Sequence, residues 1–430
     1  MKFKKTTLKN GLRIITIPMP ANPTVTVLVM VEAGSKYETK PQNGLSHFLE
    51  HMCFKGTVAR PKPTDISREL DGIGSIYNAF TAQEFTGYYA KADAKHASKI
   101  LDIVSDIYLN STLPAIELEK EKGVIVEEIN MYEDLPHRQV QDIFMEALFG
   151  NQPAGWNIAG TKNNVRSFKR EDFVAYRKKH YVAGATTVIV AGQFQEKSII
   201  SGIKKRFAGI DSLAKAEKKP VTEKQDKPTV RVRQKKTDQM HLVLGVRAFP
   251  VGDKRNPALK LLAAVLGAGM SSRLFVKLRE EMGVCYYVRA ETDLYTDHGH
   301  LAVSAGIDKN RLFEVLEVLL KEFRKFKTEP VPPEELQKAK DYLIGTMYLG
   351  LESSDELAEF YGYQELLKKQ IKKPDEIAKE IQKVKVEQIR EVAEEIFQNN
   401  RLNLAVVGEV KEEKKLSSVL GFISEVGRVK

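Results

Sequence analysis

Two stretches of the chain, about 215 residues apart, close in the same way. Thr186–Gly192 runs on into Gln193-Phe194, and Leu402–Val407 into Gly408-Glu409-Val410. Each is an apolar run ending in glycine, and each follows a helical stretch with an aromatic near its end, Tyr181 in one and Phe397 in the other. Self-similarity at this spacing argues for a duplicated unit. Between the copies, Ala214 to Pro228 is charged, holds Pro220 and Pro228 and has no apolar face, which is linker composition. The expected organisation is an N-terminal domain over 1–212, a linker over 213–228 and a homologous C-terminal domain over 229–430. The same elements recur in each half. Thr24–Val31 and Met240–Val246 read as buried strands, and Ser75–Ala90 and Cys285–Val303 as hairpin-like strands. Helical periodicity marks 45–54, 67–71 and 96–109 in the first half, and 257–266, 273–281 and 311–326 in the second. The fold class is α+β, each domain a largely antiparallel sheet with helices packed on one face.

The copies differ at one point. The first carries His47-Phe48-Leu49-Glu50-His51, in which two imidazoles four residues apart leave one helical face and reach one metal ion. Glu50, three residues after His47, shares that face and can act on water beside the metal without being a ligand. This is the inverted order of the commoner H-E-x-x-H motif. The bland alternative is a pair of buried, hydrogen-bonded histidines on an apolar helix, since Gly44-Leu45-Ser46 and Met52-Cys53-Phe54 flank the motif. A hydrolytic site needs a third ligand and one open position. The amphipathic acidic stretch from Glu117 to Asp134 is the best source. In it Glu121 and Glu128 lie two turns apart on one face, so that Glu128 can ligate while Glu121 orients a ligand from behind. A solvated acidic face is the alternative there.

The second half lacks the motif. At the corresponding place, Leu274, Phe275 and Leu278 make a helix carrying Arg279, and Gly283 breaks it before a strand that opens Cys285-Tyr286-Tyr287. From the residues alone this is a helix-turn-strand corner with an exposed arginine and a packed tyrosine. His298 and His300 alternate on a strand and share a face, but no third ligand has a useful spacing, and a turn and strand corner is the better reading.

Bulk properties fit an enzyme with more than one core: 430 residues, of which 42% are hydrophobic. No apolar run approaches the length of a membrane span. The start from Met1 to Asn10 is basic without a following apolar region, which argues against a secretory signal. Two cysteines, Cys53 and Cys285, give no disulfide framework and point to a reducing, cytoplasmic setting. The net charge of +10 is spread along the chain and mixed with glutamate, without interleaved aromatics, so nucleic-acid binding is not expected.

His47-Phe48-Leu49-Glu50-His51 followed by Glu121 and Glu128 resembles the pitrilysin family of zinc peptidases, which includes mitochondrial processing peptidase and insulin-degrading enzyme. The resemblance runs through nearly the whole chain. It includes Asn10-Gly11-Leu12-Arg13 at the opening, Val31-Glu32-Ala33-Gly34-Ser35 at the first core strand and turn, and Ile76-Tyr77-Asn78-Ala79-Phe80-Thr81 at the substrate-side edge strand. The length is that of the short branch, with two homologous domains per chain. The resemblance implies one Zn²⁺ per chain held by His47, His51 and Glu128, with Glu50 as general base and Glu121 as the acid behind a ligand. Glu128 is preferred to its neighbour Glu127 because seven residues separate it from Glu121, as in the family. It further implies that Arg279 and Tyr286 bind the scissile carbonyl and its developing oxyanion, a role that guanidinium and phenol donors suit. Tyr287 is the nearest rival to Tyr286.

An extended segment such as Tyr77 to Thr81 can pair with substrate backbone as an added strand. Asn78, Ala79 and Phe80 are the candidate substrate-binding residues, Asn78 through a side-chain hydrogen bond and Phe80 by lining a pocket. Ordinary strand packing is the alternative. The implied activity is a zinc-dependent endopeptidase cleaving peptides or unfolded polypeptides. The competing class is a non-catalytic or partner-dependent subunit of a heteromeric assembly, but such members typically carry a degraded metal motif. Because the zinc motif and the Arg/Tyr pair occur in one chain, a homodimer of two half-clamshells is expected ahead of a heterodimer with a related chain.

Overall fold

The computed structural model describes residues 2–420. The chain forms two compact units, neither contiguous in sequence. The first comprises Met1–Asn130, Trp156–Lys219 and Tyr348–Lys373; the second comprises Met131–Gly155, Pro220–Met347 and Pro374–Lys430.

The first unit holds six strands: β1 (Lys4–Thr7), β2 (Arg13–Pro18), β3 (Thr24–Val31), β4 (Ile76–Thr81), β5 (Thr86–Asp93) and β6 (Thr186–Gly192). They lie in the order β1-β2-β6-β3-β5-β4. Only β2 and β6 pair in parallel. The run Thr-Val-Thr-Val-Leu-Val-Met-Val of β3 is apolar on both faces because both are covered. Val25, Val27, Val29 and Val31 join a core with Ile100, Ile103, Val104 and Ile107 of the helix Ala97–Asn110. On the other face, Thr26 meets Ser354 at 2.8 Å between hydroxyls. Met30 lies so near Gly362 that a Cβ there would stand 2.6 Å from its sulfur. Both partners belong to the helix Ser354–Tyr363, from the far half of the sequence.

The second unit repeats this plan with β7 (Thr229–Arg233), β8 (Gln239–Ala248), β9 (Cys285–Leu294), β10 (Gly299–Asp308) and β11 (Leu402–Val407). Their order is β7-β11-β8-β10-β9, with β7 and β11 parallel, matching β2-β6-β3-β5-β4 strand for strand. One face packs on the helices Asn256–Gly267, Leu312–Thr328 and Val386–Ile396. The other receives Pro136–Phe149, whose Val140, Phe144 and Leu148 meet Val243, Ala405 and Val407. Helices of the same half therefore cover one face of each sheet, as expected, and a single helix from the opposite half covers the second face. No helix among the described residues is long and apolar enough to cross a membrane.

Candidate metal centre

The motif helix, Leu45–Cys53, is placed by what lies before it. Gly44 adopts φ +102°, and a Cβ there would lie 2.6 Å from the Ala159 carbonyl oxygen, so only glycine fits. The buried Glu38 carboxylate accepts from the backbone N–H of Gly44 at 2.9 Å and of Ser46 at 2.6 Å, satisfying donors that the helix start leaves unpaired. Burial pushes the Glu38 carboxyl up to about 7, and its donors oppose a larger rise. Leu45, Phe48, Leu49, Met52 and Cys53 take the core side. His47, Glu50 and His51 are left on the opposite face, with the two imidazole centroids 4.7 Å apart.

The helix Ala115–Asp134 supplies the acids. Glu128 Oε2 lies 3.6 Å from His47 Nε2 and 3.6 Å from His51 Nε2. Those separations are too long for hydrogen bonds. They fit donors around one cation, since tetrahedral zinc with bonds of about 2.0–2.1 Å sets neighbouring ligand atoms about 3.3–3.4 Å apart. Among the described residues this is the one group of three or more such side chains that can hold a metal. Glu127 points away to solvent and accepts from Asn130. Glu121 Oε1 meets His51 Nδ1 at 2.9 Å, which leaves Nε2 of that ring for the metal. Lys55, one turn beyond His51, holds Glu121 Oε2 at 2.7 Å. The chemistry of the donor set, two imidazole nitrogens and a carboxylate oxygen, fits zinc.

Charge is arranged to suit a divalent cation. Burial, helped by neighbouring His51, drives the His47 imidazole down to about 3, so it is neutral and available as a ligand. His51 is raised: burial opposes its charge, but the Glu121 hydrogen bond and the fields of Glu50, Glu128 and Glu121 outweigh it. Glu121 is lowered, because its bonds to His51 and Lys55 overcome burial. Burial raises Glu50, while a bond from Thr81 and the charge of His51 pull it back.

Beside this cluster lies β4, the last strand of its sheet, paired on one side with β5. Asn78 is exposed, and its Oδ1 accepts from the Ala79 amide. Ala79 is buried opposite Tyr88. The Phe80 ring lies over Gly87, where a Cβ would come within 2.3 Å, and packs near Phe85 and Tyr363. Thr81 Oγ1 donates to Glu50 Oε2 at 2.6 Å. The Glu38, Lys55 and Thr81 contacts escape a reading of the sequence; Lys55 lies just past the end of the motif helix, where helical spacing no longer says what it meets.

In the second unit, Arg279 sits on a π-helical turn, Phe275–Glu281, donates to the Tyr286 carbonyl oxygen and stands 5.1 Å over the Tyr286 ring. Tyr286 is 72% exposed. Tyr287 is half-buried, and its hydroxyl is bonded to His241 Nδ1 at 3.1 Å. His298 and His300 are buried beside Asp297 and Asp293 and complete no metal cluster among the described residues.

Two family models match the chain: Insulinase (Peptidase family M16) over residues 13–162, which contains the histidine motif and Glu128, and Peptidase M16 inactive domain over 167–343. The chain belongs to peptidase family M16. It is 36% identical to an uncharacterized zinc protease, YmxG, of Bacillus subtilis, across 92% of this chain and 96% of that one. It is 31% identical to the uncharacterized zinc protease SCO5738 of Streptomyces coelicolor, across 96% and 90%. Its fold matches a protease from Helicobacter pylori with a TM-score of 0.87 at 22% identity, covering 95% of this chain and 99% of that one. A chain of complex III2 from Candida albicans shares the fold with a TM-score of 0.83 at 18% identity, covering 97% and 99%.

Proposed function

We propose that this protein is a zinc-dependent endopeptidase acting on peptides or unfolded polypeptides. The observation that carries this reading is the convergence of His47, His51 and Glu128 with the half-buried Glu50 alongside, in a chain whose relatives are named zinc proteases. The two Nε2 atoms and Glu128 Oε2 would hold the ion, and Glu121 fixes the ring of His51 from behind. When bound, zinc supplies a Lewis acid that makes water nucleophilic near neutral pH and polarises a carbonyl. Glu50 is the base. It sits beside the ligand atoms with one oxygen held by Thr81, which suits it to take a proton from the attacking water and pass it to the leaving amine. Arg279 and Tyr286 are the proposed donors to the carbonyl oxygen. The free edge of β4 offers backbone groups to an extended peptide, so that recognition depends on conformation more than on sequence.

Glu50→Gln tests the assignment: it is expected to keep zinc and the fold and to abolish cleavage of a mixed peptide library. Turnover equal to wild type would show that another group is the base. A homodimer is the proposed assembly, because one chain supplies both the zinc motif and the Arg/Tyr pair. A purified chain that cleaves peptides only with a related companion would overturn it.

A further inference from the structure

The hydroxyl of Thr81 has one proton to give. Its strand neighbour Thr86, 3.5 Å away, does not compete for the Glu50 oxygen, because its own hydroxyl donates to the Ala33 carbonyl at 2.9 Å. The Thr81 proton therefore goes to Glu50 Oε2, 2.6 Å off, leaving Oε1 of the same carboxylate as the free oxygen. Thr81 is itself firmly placed. It ends β4, and the turn that follows is clamped to the loop after β3 by bonds from Ser35 N to Ala82 O at 3.2 Å and from Lys36 N to Gln83 O at 2.8 Å. That approach is possible because residue 34 is glycine; a Cβ there would lie 2.2 Å from the Ala82 oxygen. The same loop leads to Glu38, which holds the start of the motif helix. One bracket of chain thus ties down the helix that carries Glu50 and the strand end that carries its partner.

We infer that Thr81 is a positioning residue for Glu50, holding one carboxylate oxygen so that the other faces the attacking water. The inference rests on Glu50 being the base. It goes further by making the strand proposed to pair with substrate the second support of the proton-transfer group. A peptide laid along β4 is then registered against the same rigid segment that aims the base. Misplacing a reacting group by about 1 Å costs on the order of a hundredfold in rate.

The experiment compares Thr81→Val, which keeps shape and removes the hydroxyl, with Thr81→Ser, which keeps the hydroxyl. Zinc content, unfolding midpoint, kcat and KM are measured on zinc-loaded protein. Thr81→Val is expected to retain zinc and to lose about ten- to a hundredfold in kcat with KM changed less than about threefold, while Thr81→Ser stays within about threefold of wild type. A Val variant with wild-type kcat, or one raised only in KM, would overturn the inference. So would a Ser variant as slow as Val. If Val does not fold, Thr81→Ala takes its place, and failure of both to fold would show a structural hydroxyl and overturn the inference as well. Glu50→Gln is run alongside: if it is inactive while Thr81→Val is normal, only the role of Thr81 falls, whereas an active Glu50→Gln removes the base assignment itself.

Discussion

Replacing Glu121 by Gln removes a charge from behind the metal cluster while keeping the side chain's shape. The Glu121 side chain is almost wholly buried, with one oxygen 2.9 Å from His51 Nδ1 and the other 2.7 Å from Lys55 Nζ. An amide cannot serve both neighbours. With its oxygen toward His51, its NH₂ faces the Lys55 ammonium, donor against donor; with the amide flipped, it faces the Nδ1–H. One charge-assisted contact is lost either way, worth about 1.5–3 kcal/mol. At about 1.4 kcal/mol per tenfold, this is ten- to a hundredfold weaker zinc binding, the usual range for such partners. Competition against a chromophoric chelator near neutral pH reads this directly. Zinc affinity equal to wild type in Glu121→Gln would refute the claim that Glu121 orients His51 for the metal.

Three further outcomes follow from the same geometry. Gly44→Ala must place a side chain at φ +102° and against the Ala159 oxygen, so it should destabilise the protein by more than about 2 kcal/mol in urea unfolding; an unchanged midpoint would contradict the helix-entry argument. Burial raises the Glu38 carboxyl to about 7 from 4.5. Its proton is held more tightly in the folded chain, so this stabilising contribution is complete below the unfolded value and is lost as pH rises through 7. Glu38→Gln, which cannot ionise, should therefore gain on wild type between pH 5 and pH 8 in paired unfolding curves; parallel curves would contradict this. Removing zinc with a chelator should lower stability by about 2.7 kcal/mol relative to protein at a hundred times the dissociation constant, and no change in the unfolding midpoint would argue against a metal bound by the folded state.

The cluster was readable from sequence where helix geometry alone decides who meets whom. His47, Glu50 and His51 share a face by spacing, as do Glu121 and Glu128, and the structure brings these faces together. Glu128 lies with the two imidazoles and Glu127 faces solvent, because adjacent residues on a helix point about 100° apart. Contacts set by tertiary folding gave no local signal. Nothing near Thr81 or Glu38 announces their bonds to Glu50 and to the motif helix. The same holds for the helices Pro136–Phe149 and Ser354–Tyr363: nothing in their sequences says which sheet they cover. The apolar residues at 274, 275 and 278 fit an ordinary helix as well as the π-helical turn that forms at Phe275–Glu281, so the sequence does not distinguish the two windings.

Zinc stoichiometry after equilibrium dialysis, compared among wild type, Glu128→Gln and Glu127→Gln, bears most directly on the centre. Wild type and Glu127→Gln are expected to hold one ion per chain, and Glu128→Gln to lose most of it. Equal zinc in all three, or none in wild type, would contradict a metal held by His47, His51 and Glu128.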